Sequence, residues 1–176
     1  NNPELRAKVA MLRDHGQAKK YFHAMVGWNG RMDGFQGAVL SIKLRHLPAW
    51  TEERRAHAAV YTKLLANTHG VLTPTESAHG RHVYHLYVIR TNDRDGLIAA
   101  LGEQGITCGI HYPQPLHLQD AYRGLGYAPG SFPVAEKLAA EIVSLPMYPE
   151  LTHAQLEAVV EALRGFTNRA AAGVTV

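Results

Sequence analysis

A single cysteine, Cys108, leaves no internal disulfide possible, and that usage fits a reducing compartment. No apolar run approaches the roughly 18 residues a membrane span requires. Charge of neither sign is concentrated. Lys and Arg total 18 against 15 Asp and Glu, a net of +3, and the basic residues are scattered, which excludes the basic stripe of a nucleic-acid binder. The start, Asn1-Asn2-Pro3-Glu4, has neither the charged nor the apolar region of a secretory signal, and no initiator methionine. These absences predict a cytoplasmic chain without membrane or nucleic-acid partners, beginning mid-protein or after processing. A G-x-S-x-G elbow, a phosphate-binding glycine loop and internal repeats are also missing.

What is present is ordinary for a globular protein: 176 residues, 46% hydrophobic and 19% charged. That is one domain, or one domain plus part of another. Asn2-Pro3-Glu4 reads as a helix start, a cap followed by proline and an acid, with Leu5, Val9 and Leu12 carrying the helix to about Arg13. Residues 14–30 read as an irregular loop holding Tyr21, Phe22, Trp28 and three glycines. Asp33 caps the next helix, whose Phe35, Ala38, Leu40, Ile42, Leu44 and Leu47 form a broad apolar face. Pro48 is expected to interrupt it. A further helix follows to Leu65, with Ala58, Tyr61 and Leu65 on one side and Glu52, Glu53, Arg54 and Arg55 solvated. Residues 67–82 are a polar connector.

Further on, 85–89 and 106–110 read as strands flanking a helix over 94–104 that is capped by Asn92 or Asp93 and closed by Gly105, which suggests a small α/β sandwich. Short helices are expected over 118–125 and 133–143. Pro146-Met147-Tyr148-Pro149 is a rigid extended turn. Thr152 with Gln155 makes a capping box for a last helix to about Leu163, and the tail from Thr167 is expected to fray.

Few side chains invite chemistry. The Asn29 amide, between Gly27 and Gly30, either donates to a ligand phosphate or caps its own turn. Arg31 either clamps an anion bidentately or anchors structure by pairing with Asp33 or a helix end. Trp28 lines a site or fills core. His111 and Tyr112, held by Pro113 at a strand end, either offer hydrogen bonds to a sugar or nucleotide or, in the case of His111, form a satisfied half-buried histidine. The closest histidine pairs, His82 with His85 and His111 with His117, lack the cysteines or acids that would complete a metal site, so none is expected. Cys108 reads as a small buried hydrophobe, and Lys19-Lys20 as a solvated pair.

Four stretches together resemble the DegT/DnrJ/EryC1/StrS family of sugar aminotransferases. They are Gly27-Trp28-Asn29-Gly30-Arg31-Met32-Asp33 with Gln36 and Lys43-Leu44; Gly105-Ile106 through Gly109-Ile110-His111-Tyr112-Pro113 to Pro115-Leu116-His117; Phe132-Pro133-Val134-Ala135-Glu136; and Leu145 through Thr152. The resemblance runs from residue 1 to about 166. It implies the pyridoxal-phosphate-dependent aminotransferase fold of type I, α/β in class. Residues 1–69 would be the end of the large domain and 70–176 the small α/β sandwich domain.

The implied reaction moves an amino group from a glutamate-type donor to a nucleotide-linked keto-sugar, on sites shared across a homodimer. Asn29 would reach the cofactor phosphate, and Trp28, Arg31, His111 and Tyr112 the substrate. None of the lysines stands in the family's Schiff-base context, so the chain alone is expected to be inactive. A pyridoxal-phosphate-dependent sugar dehydratase of the same family, and a non-catalytic dimerisation or interaction fragment, are the alternatives.

Overall fold

A computed structural model describes residues 1–173. The chain divides into two compact units, the first Asn1–Leu47 and the second starting at Pro48. The division falls within the long helix, whose second half packs Ala58, Tyr61 and Leu65 into the second unit's core.

In the first unit, α1 spans Pro3–Arg13, and the Asn2 side chain accepts from Leu5 N as predicted. Residues 14–30 are not an irregular loop. They contain an antiparallel hairpin of β1 (Gln17–Lys19) and β2 (Phe22–His23), paired Gln17 with His23 and Lys19 with Phe22. The sequence hides it because His15, Gly16 and Tyr21 all take left-handed backbone, so the strands are too short to alternate. Helix α2, Gly34–Leu65, starts with a full capping box: Gln36 N donates to Asp33 Oδ1 at 2.8 Å, and Asp33 N to Gln36 Oε1 at 3.4 Å. Pro48 does not interrupt it. Proline withholds one N–H, from the Leu44 carbonyl, and the helix continues on either side. The face from Phe35 to Leu47 stays exposed, Phe35 at 81%.

The second unit is built on a three-stranded antiparallel sheet in the order β3 (Val71–Leu72), β4 (Tyr87–Thr91), β5 (Ile142–Leu145). Tyr87, Ile89 and Thr91 alternate into the core while Val88 and Arg90 point outward, the period of two that a half-buried strand requires. Ala58, Tyr61 and Leu65 of α2, Leu97 and Leu101 of α3 (Arg94–Gly102), and Leu156, Val160 and Leu163 of α5 (His153–Gly173) close over it. Asp93 caps α3, and Thr152 with Gln155 forms the expected box before α5.

Several expectations here are corrected. Strand β4 lies two residues beyond the expected 85–89, because Tyr84 is left-handed and Thr91 has a partner in Val71. Residues 106–110 are not a strand. They touch the free edge of β5 at one bridge only, where Gly109 and Ser144 exchange hydrogen bonds of 2.8 and 3.0 Å. Residues 116–125 form two 3₁₀ turns, Leu116–Leu118 and Asp120–Leu125, ended by left-handed Gly126. Helix α4 (Pro133–Glu141) stops where the β-branched pair Ile142-Val143 enters β5. Helix α5 passes Leu163 and Thr167 to Gly173, and the remainder of the expected frayed tail, 174–176, lies outside the described residues. Among the described residues no helix is long and apolar enough to cross a membrane.

Candidate functional site

The end of α1 organises the first unit's polar cluster. A helix C-terminus leaves carbonyls without helical donors. Here the returning segment supplies them: Trp28 N donates to Leu12 O and Gly30 N to Arg13 O, both at 2.8 Å, and Gly16 N to Met11 O at 2.7 Å. The approach is so close that a Cβ on Gly27 would sit 2.2 Å from Gly16 N. Backbone from 27 to 30 is thereby clamped, and Asn29 pairs with Asp14 across it.

Clamped backbone presents free side chains. Arg31 Nε donates to Asn29 Oδ1 at 3.2 Å, which leaves the Asn29 amide hydrogens and the outer guanidinium for an acceptor. Arg31 lies 3.6 Å from Asp14 Oδ1, beyond hydrogen-bonding reach, and that shielded carboxylate oxygen has no hydrogen bond at all. The structural partner of Arg31 is Asp14, the C-cap of α1, so of the two expected anchors it is the helix end and not Asp33. Trp28 is 71% exposed, so its core reading fails within this chain. Nothing in the residue pattern singled out Asp14. The clue available was its place directly after α1 and before His15-Gly16.

The second unit holds His111 and Tyr112. His111 Nδ1 and the Ser144 hydroxyl are 2.8 Å apart, and the imidazole lies over Gly109, where a Cβ would meet it at 2.6 Å. Tyr112 stands edge-on to His111 and is 74% exposed. Ser144, nearly fully buried, escaped the sequence reading by one position, since the quoted motif began at Leu145. His117 has a structural setting. Its ring packs edge-on against Phe132 and lies 3.0 Å from Glu136 Oε1, and Glu136 also accepts from Gly130 N and Phe132 N. Those backbone donors first, then His117, hold the Glu136 carboxyl below its usual range.

The Leu145–Thr152 motif is also architectural. Arg54 donates to Met147 O at 2.8 Å, Tyr61 to Pro146 O at 3.1 Å, and His57 Nε2 lies 2.8 Å from Pro149 O. Arg55 pairs with Glu76. Both arginines had been read as merely solvated. Among the described residues no three His, Cys, Asp or Glu converge as a metal site would require.

Cys108 packs partly against the core, and burial raises its thiol to about 11. Against an ordinary thiol near 8.5, its thiolate fraction at pH 8.5 falls on the order of a hundredfold. Iodoacetamide should therefore label the folded protein about a hundredfold more slowly than the guanidinium-unfolded chain. Equal rates would mean that the thiol is not shielded.

Comparison with known proteins follows the same residues. The model of the DegT/DnrJ/EryC1/StrS aminotransferase family matches residues 1–164. The chain is 49% identical to the "Pleiotropic regulatory protein" of Geobacillus stearothermophilus, over 94% of this chain and 45% of that protein. It is 40% identical to the dTDP-3-amino-3,4,6-trideoxy-alpha-D-glucose transaminase of Streptomyces venezuelae, over 96% of this chain and 44% of that one. The crystal structure of S. venezuelae DesV superimposes with a TM-score of 0.89 at 40% identity, covering 96% of this chain and 45% of that chain. The chain thus spans just under half the length of these relatives.

Proposed function

Since the chain belongs to the DegT/DnrJ/EryC1/StrS aminotransferase family, we propose that it forms part of a pyridoxal-phosphate-dependent enzyme. That enzyme transfers an amino group from a glutamate-type donor to a nucleotide-linked keto-sugar. Residues 1–69 end the large domain and 70–176 form the small one. The enzyme is a cytoplasmic homodimer whose sites draw on both subunits. Relatives that are dTDP-amino-sugar transaminases support the substrate class.

One observation carries the reading furthest: Asn29 and Arg31 stand side by side on clamped backbone, joined by the 3.2 Å contact that turns both sets of donors to outside use. A phosphate fits such donors. An amide gives it a directional hydrogen bond and the guanidinium beside it a charged one, while Gly27 lets the returning backbone close on the end of α1. Asn29 is the residue that holds the cofactor phosphate. When bound, the cofactor supplies the electron sink for moving an amino group between carbons. This chain's part is to bind and orient. Trp28, Arg31, His111 and Tyr112 meet the substrate, and the Ser144 hydroxyl fixes the His111 ring through Nδ1, which leaves Nε2 for a ligand. The chain's lysines, Lys8, Lys19, Lys20, Lys43, Lys63 and Lys137, stand outside the family's Schiff-base context, so this segment works only together with a lysine-bearing one.

The test is cofactor titration, followed by visible absorbance, on protein that includes the lysine-bearing segment. Asn29→Ala should weaken pyridoxal-phosphate binding by roughly ten- to a hundredfold, since a hydrogen bond to a charged group is worth about 1.5–3 kcal/mol. Wild-type protein that takes up no cofactor would sink the reading. Full affinity in the variant would remove Asn29 from it.

A further inference from the structure

Asn29 is followed by Gly30, and this is the only asparagine–glycine step in the chain. Such a step has a chemistry of its own. The backbone nitrogen of the following residue can attack the asparagine side-chain carbon, and a follower without Cβ obstructs that attack least. The other asparagines precede Asn2, Pro3, Thr68, Asp93 and Arg169, each of which brings a Cβ or, in Pro3, lacks the N–H altogether.

The structure holds this step shut. His15 N donates to Trp28 O at 2.9 Å and Gly30 N to Arg13 O at 2.8 Å, so both peptide planes flanking Asn29 are fixed against the end of α1. Ring closure needs the plane carrying the Gly30 N–H to turn toward the side chain, and needs that nitrogen to shed its proton. Here the N–H is turned away and its proton is engaged by Arg13 O. The Asn29 amide itself is unguarded. The residue is exposed to water, and Arg31 Nε donates to its Oδ1 at 3.2 Å, which draws charge from the carbon to be attacked. Protection therefore lies in the backbone alone.

We infer that Asn29-Gly30 is a self-modification site kept latent by the clamp on α1, and that opening the clamp converts Asn29 irreversibly to aspartate or isoaspartate. The Gly30 nitrogen forms a bond to Asn29 Cγ, the Cγ–Nδ2 bond breaks, and Nδ2 leaves as ammonia with the proton that the Gly30 nitrogen gives up. Water then opens the resulting cyclic imide. Cleavage of the new N–Cγ bond leaves aspartate. Cleavage of the original peptide bond to Gly30 leaves isoaspartate, with the chain running through Cγ. Water is the only other reactant. A neutral donor becomes an anion beside Asp14 and within reach of Arg31. On the phosphate reading of Asn29, on which this consequence rests, the new carboxylate occupies Arg31 and repels the phosphate. One episode of local opening then disables the site permanently.

Peptide mapping by mass spectrometry tests this on protein that includes the lysine-bearing segment, held at mildly alkaline pH either folded or in guanidinium. In the unfolded chain Asn29 should convert faster than Asn67 or Asn92. In the folded protein it should convert at least about tenfold more slowly than in the unfolded one, the factor set by opening two backbone hydrogen bonds. Gly16→Ala, whose Cβ would strike Met25 O and open the turn, should lose most of that protection without denaturant. Gly30→Ala, whose Cβ first meets the flexible Arg13 side chain at 3.3 Å, should slow conversion even in the unfolded chain, because the attacking nitrogen is then hindered. Asn29→Asp should bind pyridoxal phosphate more weakly than Asn29→Ala by about a further fivefold, what like charges about 4 Å apart cost in water.

Equal rates in folded and unfolded protein overturn the proposal, since the clamp would then guard nothing. So does conversion in the unfolded chain no faster at Asn29 than at Asn67. Undiminished conversion in unfolded Gly30→Ala also overturns it, because the amide would then be hydrolysed directly and not through the ring. Failure of the function reading looks different: the wild type would take up no cofactor, while the mass change at Asn29 would still follow the clamp.

Discussion

Gly16→Ala is expected to abolish cofactor uptake while leaving the second unit folded. Gly16 is buried and left-handed at φ +73, and a Cβ there would stand 1.8 Å from the Met25 carbonyl oxygen. The obstacle is backbone, so no side-chain rotation relieves it. Left-handed strain adds about 1–2 kcal/mol for any residue with a Cβ. The residue is also held on both sides, its N–H by Met11 O and its own carbonyl by Ala24 N. Relief therefore requires the turn to open, and the turn is what brings 27–30 back onto α1. Asn29 and Arg31 would lose their shared position. Pyridoxal-phosphate affinity should drop by at least the hundredfold upper range given for Asn29→Ala. Gly37→Ala, within α2 and with only Met32 Sδ near at 3.8 Å, is the control and should be neutral or stabilising by up to about 1 kcal/mol. A Gly16→Ala protein with normal cofactor affinity would show that the clamp does not set the site.

Tyr87→Ala should be the most destabilising single change in the second unit, at about 3–5 kcal/mol. The side chain is fully buried, its ring centre 5.1 Å from Tyr61 and 6.1 Å from Tyr84, and its hydroxyl 2.8 Å from Thr62 Oγ1. Truncation leaves two aromatic rings without a neighbour and strands a part-buried hydroxyl. Set against a typical domain stability of about 5–15 kcal/mol, the variant should show a much lower denaturant midpoint. Tyr87→Phe should lose only about 1 kcal/mol. A shift in the alanine variant as small as in the phenylalanine one would show that the ring cluster is not central. Burial raises the Tyr87 phenol to about 12, above the ordinary value near 10. Its contribution is thus complete below about pH 10 and is lost as pH climbs toward 12.

The parts legible in the sequence were those set by neighbours in the chain. Asn2, Asp33, Asp93 and the Thr152/Gln155 box all cap the helices assigned to them, because a cap is decided within three or four residues. Ala58, Tyr61 and Leu65 are buried as their spacing demanded. Strands fared worse because pairing is remote. Residues 106–110 have strand composition, but β5 offers them one bridge, and β3 consists of two residues that only Arg90 and Thr91 make extended. The site divided in the same way. The motif brought out Asn29 and Arg31, whereas Asp14 and Ser144 take their meaning from a returning segment and a sheet that residue spacing does not reveal.

Helix α2 grips its distant segment through contacts that span 93 residues from Arg54 to Met147, 92 from His57 to Pro149 and 85 from Tyr61 to Pro146, and Arg164 reaches Leu64 across 100. Such separations delay folding, because chain closure must precede every contact that rewards it. A ribosome delivers residues in order. Half of this core, Tyr61 and Leu65 included, emerges long before β5 and α5 exist to cover it. The second unit can close only once β5 and α5 have emerged, and until then its earliest apolar residues are the ones most in need of a chaperone.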